Sequence, residues 1–192
     1  IYGEAGGDRS GESVSLSAAG TTVAIGAPAN DESAGHIRVY QLRDSDWIQK
    51  GADIDGSLID RSGSSVSLSA DGLTVAIGAP YSNGNGPYAG RVRVFNWNDV
   101  AWIQQGTDID GEFAGDESGL EVALSADGLV LAVGARLNSD GGAYAGHVRV
   151  FYWKGTSWVQ EGTDIDGESA GDWSHRVSLS ADGSRVAIGS MQ

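Results

Sequence analysis

Short acidic strings built on Asp-x-Asp-Gly recur along this 192-residue chain. The fullest copy, TDIDGEFAGDESG at 107–119, holds five carboxylates and no basic residue, and close copies lie at 52–63 and 163–175. Carboxylate oxygens are the ligands that calcium prefers in proteins, although these strings lack the remaining spacing of an EF-hand loop. The sequence thus offers weakly bound calcium as a cofactor, with these candidate ligands: Asp53, Asp55, Asp108, Asp110, Glu112, Asp164, Asp166 and Glu168.

A structural role for the same aspartates is the alternative. Asp side chains cap turns by accepting hydrogen bonds from backbone N–H groups, and such turns suit the junction between two repeats. If the string is extended, strand alternation places Asp108 and Asp110 on one side, with Ile109 facing outward between them. The sequence leaves both roles open.

Four aromatic residues that do not follow the repeat are the candidates for ligand binding. Tyr81, Tyr88 and Tyr144 fall in loops of variable length, and Trp173 is the odd residue of its own acidic string. Binding residues concentrate in loops that a rigid scaffold positions. These residues predict a protein or glycan ligand.

The sequence predicts no enzyme active site. His36 and His147 occupy equivalent repeat positions where the middle repeat has Arg91, which indicates a tolerant strand-start position rather than a catalytic base. The chain has no nucleophile elbow, metal-binding histidine pair or phosphate loop. Because carboxylates are plentiful, a carbohydrate-active enzyme fragment of glycosidase or sialidase type is the alternative function.

Composition excludes several classes of partner. The formal net charge is −14, which argues against nucleic acid, because phosphates require a basic surface. No apolar run is long enough to span a bilayer, so we expect no membrane insertion. There is no cysteine, which excludes disulfides and thiolate metal sites.

The chain is built from internal repeats of about 55 residues. SVSLSAAGTTVAIGAP at 13–28 returns as SVSLSADGLTVAIGAP at 65–80, and related strings start at 121 and 176. Each unit reads as four strands: SVSLS, a hairpin through A-D-G, TVAIGA, then HIRVYQL and WIQKGADI after a variable loop. The predicted class is all-β, with blades of four antiparallel strands in three full repeats plus a half.

The strands carry bulky Val, Leu and Ile on one face and Ser, Ala and Gly on the other. A sheet with a large face and a small face suits stacking against copies of itself, and four-stranded sheets at this period are typical of a β-propeller. A β-solenoid is the second candidate, although its repeats are usually shorter. Trp47, Trp102 and Trp158 recur in register, so we expect them to seal adjacent blades.

The strings VAIGAP and TVAIGAP, preceded by SGESVSLS and SGSSVSLS, resemble the FG-GAP repeat family of integrin-α-like propellers and microbial surface proteins. The resemblance implies that the connection between blades and the loop between second and third strands reach one face, which would be acidic. It also implies an extracellular or cell-surface protein with a binding, adhesion or scaffold role. The family's calcium loop, between the first and second strands, is here only SAAG or SADG, too poor in oxygen ligands for calcium.

We expect one repeat domain over 1–192, with repeats at about 1–55, 56–110 and 111–166 and a partial repeat at 167–192. Three and a half blades cannot close a ring, and an unpaired strand edge invites another chain. The chain is therefore expected either to be part of a larger propeller or to form a homo-oligomer through its strand edges.

Light scattering across a dilution series tests this expectation. Assembly through strand edges predicts an apparent mass that rises with protein concentration, because mass action governs the association. A stable, compact monomer at low micromolar concentration would contradict both versions, and would mean that the repeats stack without closing.

Overall fold

The computed structural model describes residues 1–191, which fold almost entirely into antiparallel β-sheet. The strands are β1 (Ser13–Leu16), β2 (Thr22–Ala27), β3 (His36–Arg43), β4 (Asp46–Gln49), β5 (Ile54–Asp55), β6 (Ser65–Leu68), β7 (Thr74–Ala79), β8 (Arg91–Trp97), β9 (Trp102–Gln104), β10 (Ile109–Asp110), β11 (Ser118–Leu124), β12 (Val130–Ala135), β13 (His147–Trp153), β14 (Trp158–Gln160), β15 (Ile165–Asp166), β16 (Arg176–Leu179) and β17 (Val186–Gly189).

Each of the first three units forms one sheet in which neighbouring strands follow chain order. In the first unit, β1 pairs with β2, β2 with β3, and β3 with both β4 and β5. The second and third units repeat this order, and β16 and β17 form a two-stranded sheet. The predicted class, all-β with four-stranded antiparallel blades, is confirmed.

The fourth strand of each unit is broken in two, contrary to the continuous WIQKGADI strand that the sequence predicts. β4 pairs with the end of β3, and β5 pairs with its beginning. The break falls at Gly51, whose φ is 85°, in the left-handed region that suits glycine. A Cβ at Gly51 would lie 2.8 Å from the Trp97 ring of the next unit, so the strand is interrupted where this indole packs against it.

A single helical turn, α1 (Asn30–Ser33), interrupts the β structure in the described residues. Its Asp31 and Glu32 have φ values of 47° and 54°, so it is a left-handed turn within the β2–β3 loop rather than a packed helix. The absence of a helical period in the sequence agrees with this.

The core lies between successive sheets. One cluster joins the small face of the first unit, with Ala24, to the bulky face of the second, where Val75 and Ile77 are fully buried. The equivalent cluster between the second and third units contains Ala76, Leu131 and Val133. The predicted stacking of a large face on a small face is therefore confirmed.

Ile109 belongs to the second core cluster and is 7% exposed, so the expectation that it faces outward is wrong. The predicted alternation holds, but the buried and exposed sides of the string are the reverse of those expected. β10 pairs with β8, and this register turns Ile109 toward the third unit while Asp108 and Asp110 face the other way. Ile54 is buried in the same manner.

The repeated tryptophans join neighbouring units, as predicted for Trp102 and Trp158. Trp102 packs on the first core cluster and its Nε1 donates a hydrogen bond to the carbonyl oxygen of Lys50, 2.7 Å away in the preceding unit. Trp158 donates in the same way to Gln105, at 2.9 Å. Trp47, in the first unit, is half-buried.

Hairpin turns at the other end of the blades form a second link. The backbone N–H of Ala18 donates to the carbonyl of Ala70 at 2.9 Å, and Ala70 donates to Ala126 at 2.8 Å. Within each later turn the Asp caps its own hairpin: Ser69 Oγ donates to Asp71 Oδ1 at 2.6 Å. The short S-A-D-G turn thus holds neighbouring blades together.

None of the helical segments in residues 1–191 is long and apolar enough to cross a membrane.

Gly78, the glycine of the second GAP string, allows the backbone of the next unit to approach. A Cβ at Gly78 would overlap the carbonyl oxygen of Gly119, so Gly78→Ala should lower the free energy of unfolding by about 3 kcal/mol or more. The matched control is Gly189→Ala, where the nearest atom to an added Cβ is 3.4 Å away, and we expect a change within about 0.5 kcal/mol. Urea unfolding of both variants measures the difference; equal effects would contradict this account.

Candidate functional site

Two sets of loops meet at one end of the sheets. The backbone N–H of Arg61, in the linker between the first two units, donates to the carbonyl of Ser33 in the preceding β2–β3 loop at 2.9 Å. Glu117 donates to Tyr88, and Trp173 to Tyr144, each at 3.1 Å. Linkers and variable loops therefore share one face, which we call the loop face, as the resemblance implied.

The loop tips have an unusual backbone. Tyr88 and Tyr144 have φ values of 55° and 57°, and Arg61, Glu117 and Trp173, which donate the linker hydrogen bonds, also lie in the left-handed region. Non-glycine residues rarely adopt this conformation, so the surrounding hydrogen bonds hold it. The two tyrosine side chains stand at the surface, 49% and 56% exposed.

A cleft of about 520 Å³ opens on the loop face; we call it the tyrosine cleft. Its walls include Ile59, Arg61, Tyr81, Tyr88, Glu117 and Leu137. The rings of Tyr81 and Tyr88 meet edge to face with centroids 5.5 Å apart, and the Arg61 guanidinium lies 4.5 Å from the Tyr81 centroid. The structure therefore brings two of the four predicted ligand-binding residues into one cleft.

The other two predicted ligand-binding residues lie elsewhere. Tyr144 lines a neighbouring cleft with Phe113, and the two clefts share Gly115 and Leu137. Trp173 is 42% exposed and lines neither cleft.

One ion pair fixes a wall of the tyrosine cleft. Arg136 Nη2 lies 2.6 Å from Glu117 Oε2. Arg136 stands where the first two units have the proline of GAP, so the departure from the family motif places a cation beneath this loop.

A later aspartate of each linker has the capping role that the structural alternative assigned to aspartates. Asp116 Oδ2 accepts from the N–H of Phe113 at 3.0 Å, and Asp172 Oδ2 accepts from Ser169 at 2.8 Å. Asp8 and Asp60 do the same in their own linkers. These aspartates are buried and were not among the metal candidates.

The predicted metal ligands divide between the units. In the third unit, Glu112 and Asp164 converge on His147: its Nδ1 lies 3.9 Å from Glu112 Oε2 and 3.6 Å from Asp164 Oδ2. In the first unit, Glu4 and Asp53 converge on His36 with both distances 3.8 Å. We call these two groups the histidine clusters.

The middle unit holds an arginine at the same place. Arg91 Nη1 lies 2.9 Å from Asp108 Oδ2, and Arg91 Nε lies 2.7 Å from Asp110 Oδ1. Two of the metal candidates are therefore neutralised by a side chain of the protein.

The remaining candidates lie outside these groups. Asp55 and Asp166 pair in register with His36 and His147 across the sheet, and both are exposed. Glu168 is also exposed and belongs to neither histidine cluster.

Burial sets the charge state in the third unit. It lowers the pKa of His147, and the neighbouring Arg149 lowers it further, which favours the neutral imidazole. Burial also raises the pKa of Glu112, an effect that Arg149 opposes.

Sequence reasoning missed His36, His147 and Glu4 as site residues. The signal was nevertheless present. The two units with His have a Glu after the glycine of the preceding linker, whereas the unit with Arg91 has a linker one residue shorter, Gly56-Ser57, without that Glu.

Comparison with protein families identifies one segment of the chain. The FG-GAP repeat family model matches residues 49–95, from β4 of the first unit to β8 of the second. The chain contains an FG-GAP repeat. The resemblance noted in the GAP strings is thereby confirmed, and no match was found among curated proteins.

Solved structures share the fold of this chain at low sequence identity. Hydrazine synthase of Kuenenia stuttgartiensis is 15% identical with a TM-score of 0.58, over 93% of this chain and 43% of that one. A proposed 6-phosphogluconolactonase of Bacteroides uniformis is 14% identical with a TM-score of 0.61, over 92% and 46%. A protein of unknown function from Desulfotomaculum acetoxidans is 13% identical with a TM-score of 0.59, over 92% and 47%.

These similarities establish the propeller-type fold alone. The chain spans less than half the length of each of these three structures.

His175, beside Trp173, makes stability depend on pH. It is 3% exposed and its pKa is lowered by burial, so the folded state binds fewer protons than the unfolded chain below about pH 6.5. Stability should therefore fall as pH drops from 6.5 to 5, by at most about 1.4 kcal/mol per pH unit for this group. Urea unfolding in a chelating buffer should show a shallower decline for His175→Gln; an unchanged slope would contradict the assignment.

Proposed function

We propose that this chain is a non-catalytic binding module of the propeller type, and that its tyrosine cleft binds a segment of a partner protein. The supporting observation is the cleft itself. Ile59, Leu137 and two tyrosines offer apolar contact area, while Arg61 and Glu117 offer one charge of each sign. Apolar pockets with a few placed polar groups are typical ligand sites, and tyrosine and arginine are enriched where binding energy concentrates.

The rigidity of the cleft also supports binding. Tyr88 and the linker residues are fixed by backbone hydrogen bonds, and the Tyr81–Tyr88 and Arg61–Tyr81 contacts hold the walls. A preformed site loses little conformational entropy when a ligand is bound.

A carbohydrate-active enzyme is the second candidate. The cleft also contains Glu32, so two carboxylates, Glu32 and Glu117, border an aromatic surface on which a sugar ring could stack. Against this, Glu117 is already paired with Arg136.

The proposed location is extracellular or at a cell surface, where FG-GAP repeats are typical. The acidic composition supports solubility and cation attraction there. We also propose that the loop face is acidic.

Association with another sheet is a further part of the proposal. Val14 and Leu16 of β1 are 62% and 57% exposed, whereas the equivalent Val66 and Leu68 are buried by the preceding unit. Exposed apolar side chains of this kind favour a neighbouring blade, from a longer propeller or a second copy.

Binding through the cleft is tested with a peptide display library and a glycan array. We expect peptide ligands whose affinity falls about 30-fold or more in Tyr88→Ala, as for a central interface residue. Val100→Ser is the matched control, since Val100 is 79% exposed in the β8–β9 turn at the opposite end of the blade.

Glycoside hydrolysis is assayed with the same proteins. Turnover that Glu117→Gln abolishes would replace the binding proposal with the enzyme. Peptide binding unaffected by Tyr88→Ala, or the absence of any peptide ligand, would contradict the tyrosine cleft as the site.

A further inference from the structure

We propose that the histidine clusters are sites for a divalent transition-metal cation of the zinc class, which ties the linker that enters a unit to the sheet of that unit. The better-formed site consists of Glu112, His147 and Asp164. Glu112 lies in the linker that enters the third unit, whereas His147 lies in β13 and Asp164 directly precedes β15, so a bound cation would hold the linker on the sheet of its own unit.

The buried imidazole is the first reason. His147 is fully buried, and neither its Nδ1 nor its Nε2 has a hydrogen-bond partner among the described residues. Leaving buried polar atoms unpaired is costly, and such atoms call for a ligand. Glu112 Oε2, the carboxylate oxygen that faces His147, is also buried and unpaired.

The ligand spacing is the second reason. The three ligand atoms lie within 4.8 Å of one another, and His147 Nδ1 is 3.6 Å and 3.9 Å from the two carboxylates. Ligands at zinc distances of about 2.1 Å in tetrahedral geometry stand about 3.4 Å apart. The two distances from His147 Nδ1 are within about 0.5 Å of that spacing, and water would be the fourth ligand.

The orientation of the carboxylates is the third reason. Gln160 Nε2 donates to Asp164 Oδ1 at 2.6 Å, which leaves Oδ2 toward His147. Arg149 Nη1 lies 3.8 Å from Glu112 Oε1, which leaves Oε2 toward His147. Outer groups of this kind commonly orient metal ligands.

The middle unit shows what the position requires. There Gln104 holds Asp108 Oδ1 at 2.7 Å, as Gln160 holds Asp164, but Oδ2 faces the guanidinium of Arg91. The middle unit, in which Arg91 is the cation, lacks both the histidine and the linker glutamate. The two units with a histidine at this position also have the linker glutamate, which leaves their carboxylates to an external cation.

The imidazole selects the class of metal. Calcium takes oxygen ligands, whereas a set of one nitrogen and two carboxylates suits zinc and its first-row neighbours. The first-unit cluster has the same ligand set, but Glu4 is more exposed there, 48% against 32% for Glu112, so we expect weaker binding.

The experiment is calorimetric titration of the metal-stripped full chain with zinc chloride, alongside calcium chloride. We expect one tight and one weaker zinc equivalent, and intense tetrahedral Co²⁺ absorption bands after cobalt substitution. His147→Arg with Glu112→Ala gives the third unit the arginine of the middle unit and removes the linker glutamate, so it should fold and lose the tight equivalent. Glu168→Ala is the matched control: it changes the same linker position without a histidine cluster, and both equivalents should remain.

A gain-of-site variant keeps the test decisive if the first variant fails to fold. Arg91→His with a glutamate inserted between Gly56 and Ser57 should add one zinc equivalent. Gln160→Ala should weaken the tight site by roughly 10- to 100-fold, as loss of an outer-shell partner does.

Three results would overturn the proposal. They are no zinc binding, zinc binding that neither designed variant changes, and calcium binding at this site as tight as zinc.

Discussion

The close approach of two backbones at the GAP glycine is the constraint on which the rest of the fold depends. At Gly26, Gly78 and Gly134 the facing carbonyl of the next unit occupies the space of a side chain. Ser13 and Ser65 then donate to the carbonyls of Gly63 and Gly119, at 2.7 Å and 2.8 Å. Small residues on one face let the bulky face of the next unit be buried, and the repeated core follows from that spacing.

The same approach explains why the linkers are rigid. Each linker leaves the fourth strand and passes over the variable loop of the preceding unit. It enters the next unit through a serine and the residue after it, glycine in the first two linkers and His175 in the third, whose carbonyl faces the GAP glycine. Its backbone is tied to that loop by hydrogen bonds from Arg61, Glu117 and Trp173. The site residues therefore lie on loops whose positions the stacking of the sheets determines.

Periodicity was enough to predict the sheets, because strand alternation and the Val-Ala-Ile-Gly string directly report which face is large and which is small. It could not predict the break at Gly51, since the cause is an indole some 50 residues later in the chain. Ile109 was misjudged for a related reason. Alternation gives two sides, but only the register with β8 decides which side meets the next unit.

The candidate site was predicted only in part. Variable-loop tyrosines are recognisable because they break the repeat, and two of them do form a cleft. Arg61, Ile59 and Glu117 could not be chosen, because their side chains matter only once the linkers fold over neighbouring loops. In the sequence alone, the replacement of the His147 equivalent by Arg91 indicates a tolerant position. In the structure both residues face carboxylates, so the same replacement also fits a requirement for positive charge at this position of the repeat.

The cleft and the histidine clusters share their loops, which connects the two proposals. Glu112 directly precedes Phe113, and Tyr144 lies three residues before His147, so a cation at that cluster would fix both ends of the neighbouring cleft. The loop that carries Tyr88 instead leads into Arg91, a covalently held cation that pairs with Asp108 and Asp110. Ligand binding in the tyrosine cleft should therefore depend less on metal than ligand binding beside Tyr144. A chelator can remove a bound cation from the histidine cluster, but it cannot remove the Arg91 guanidinium, which is part of the protein.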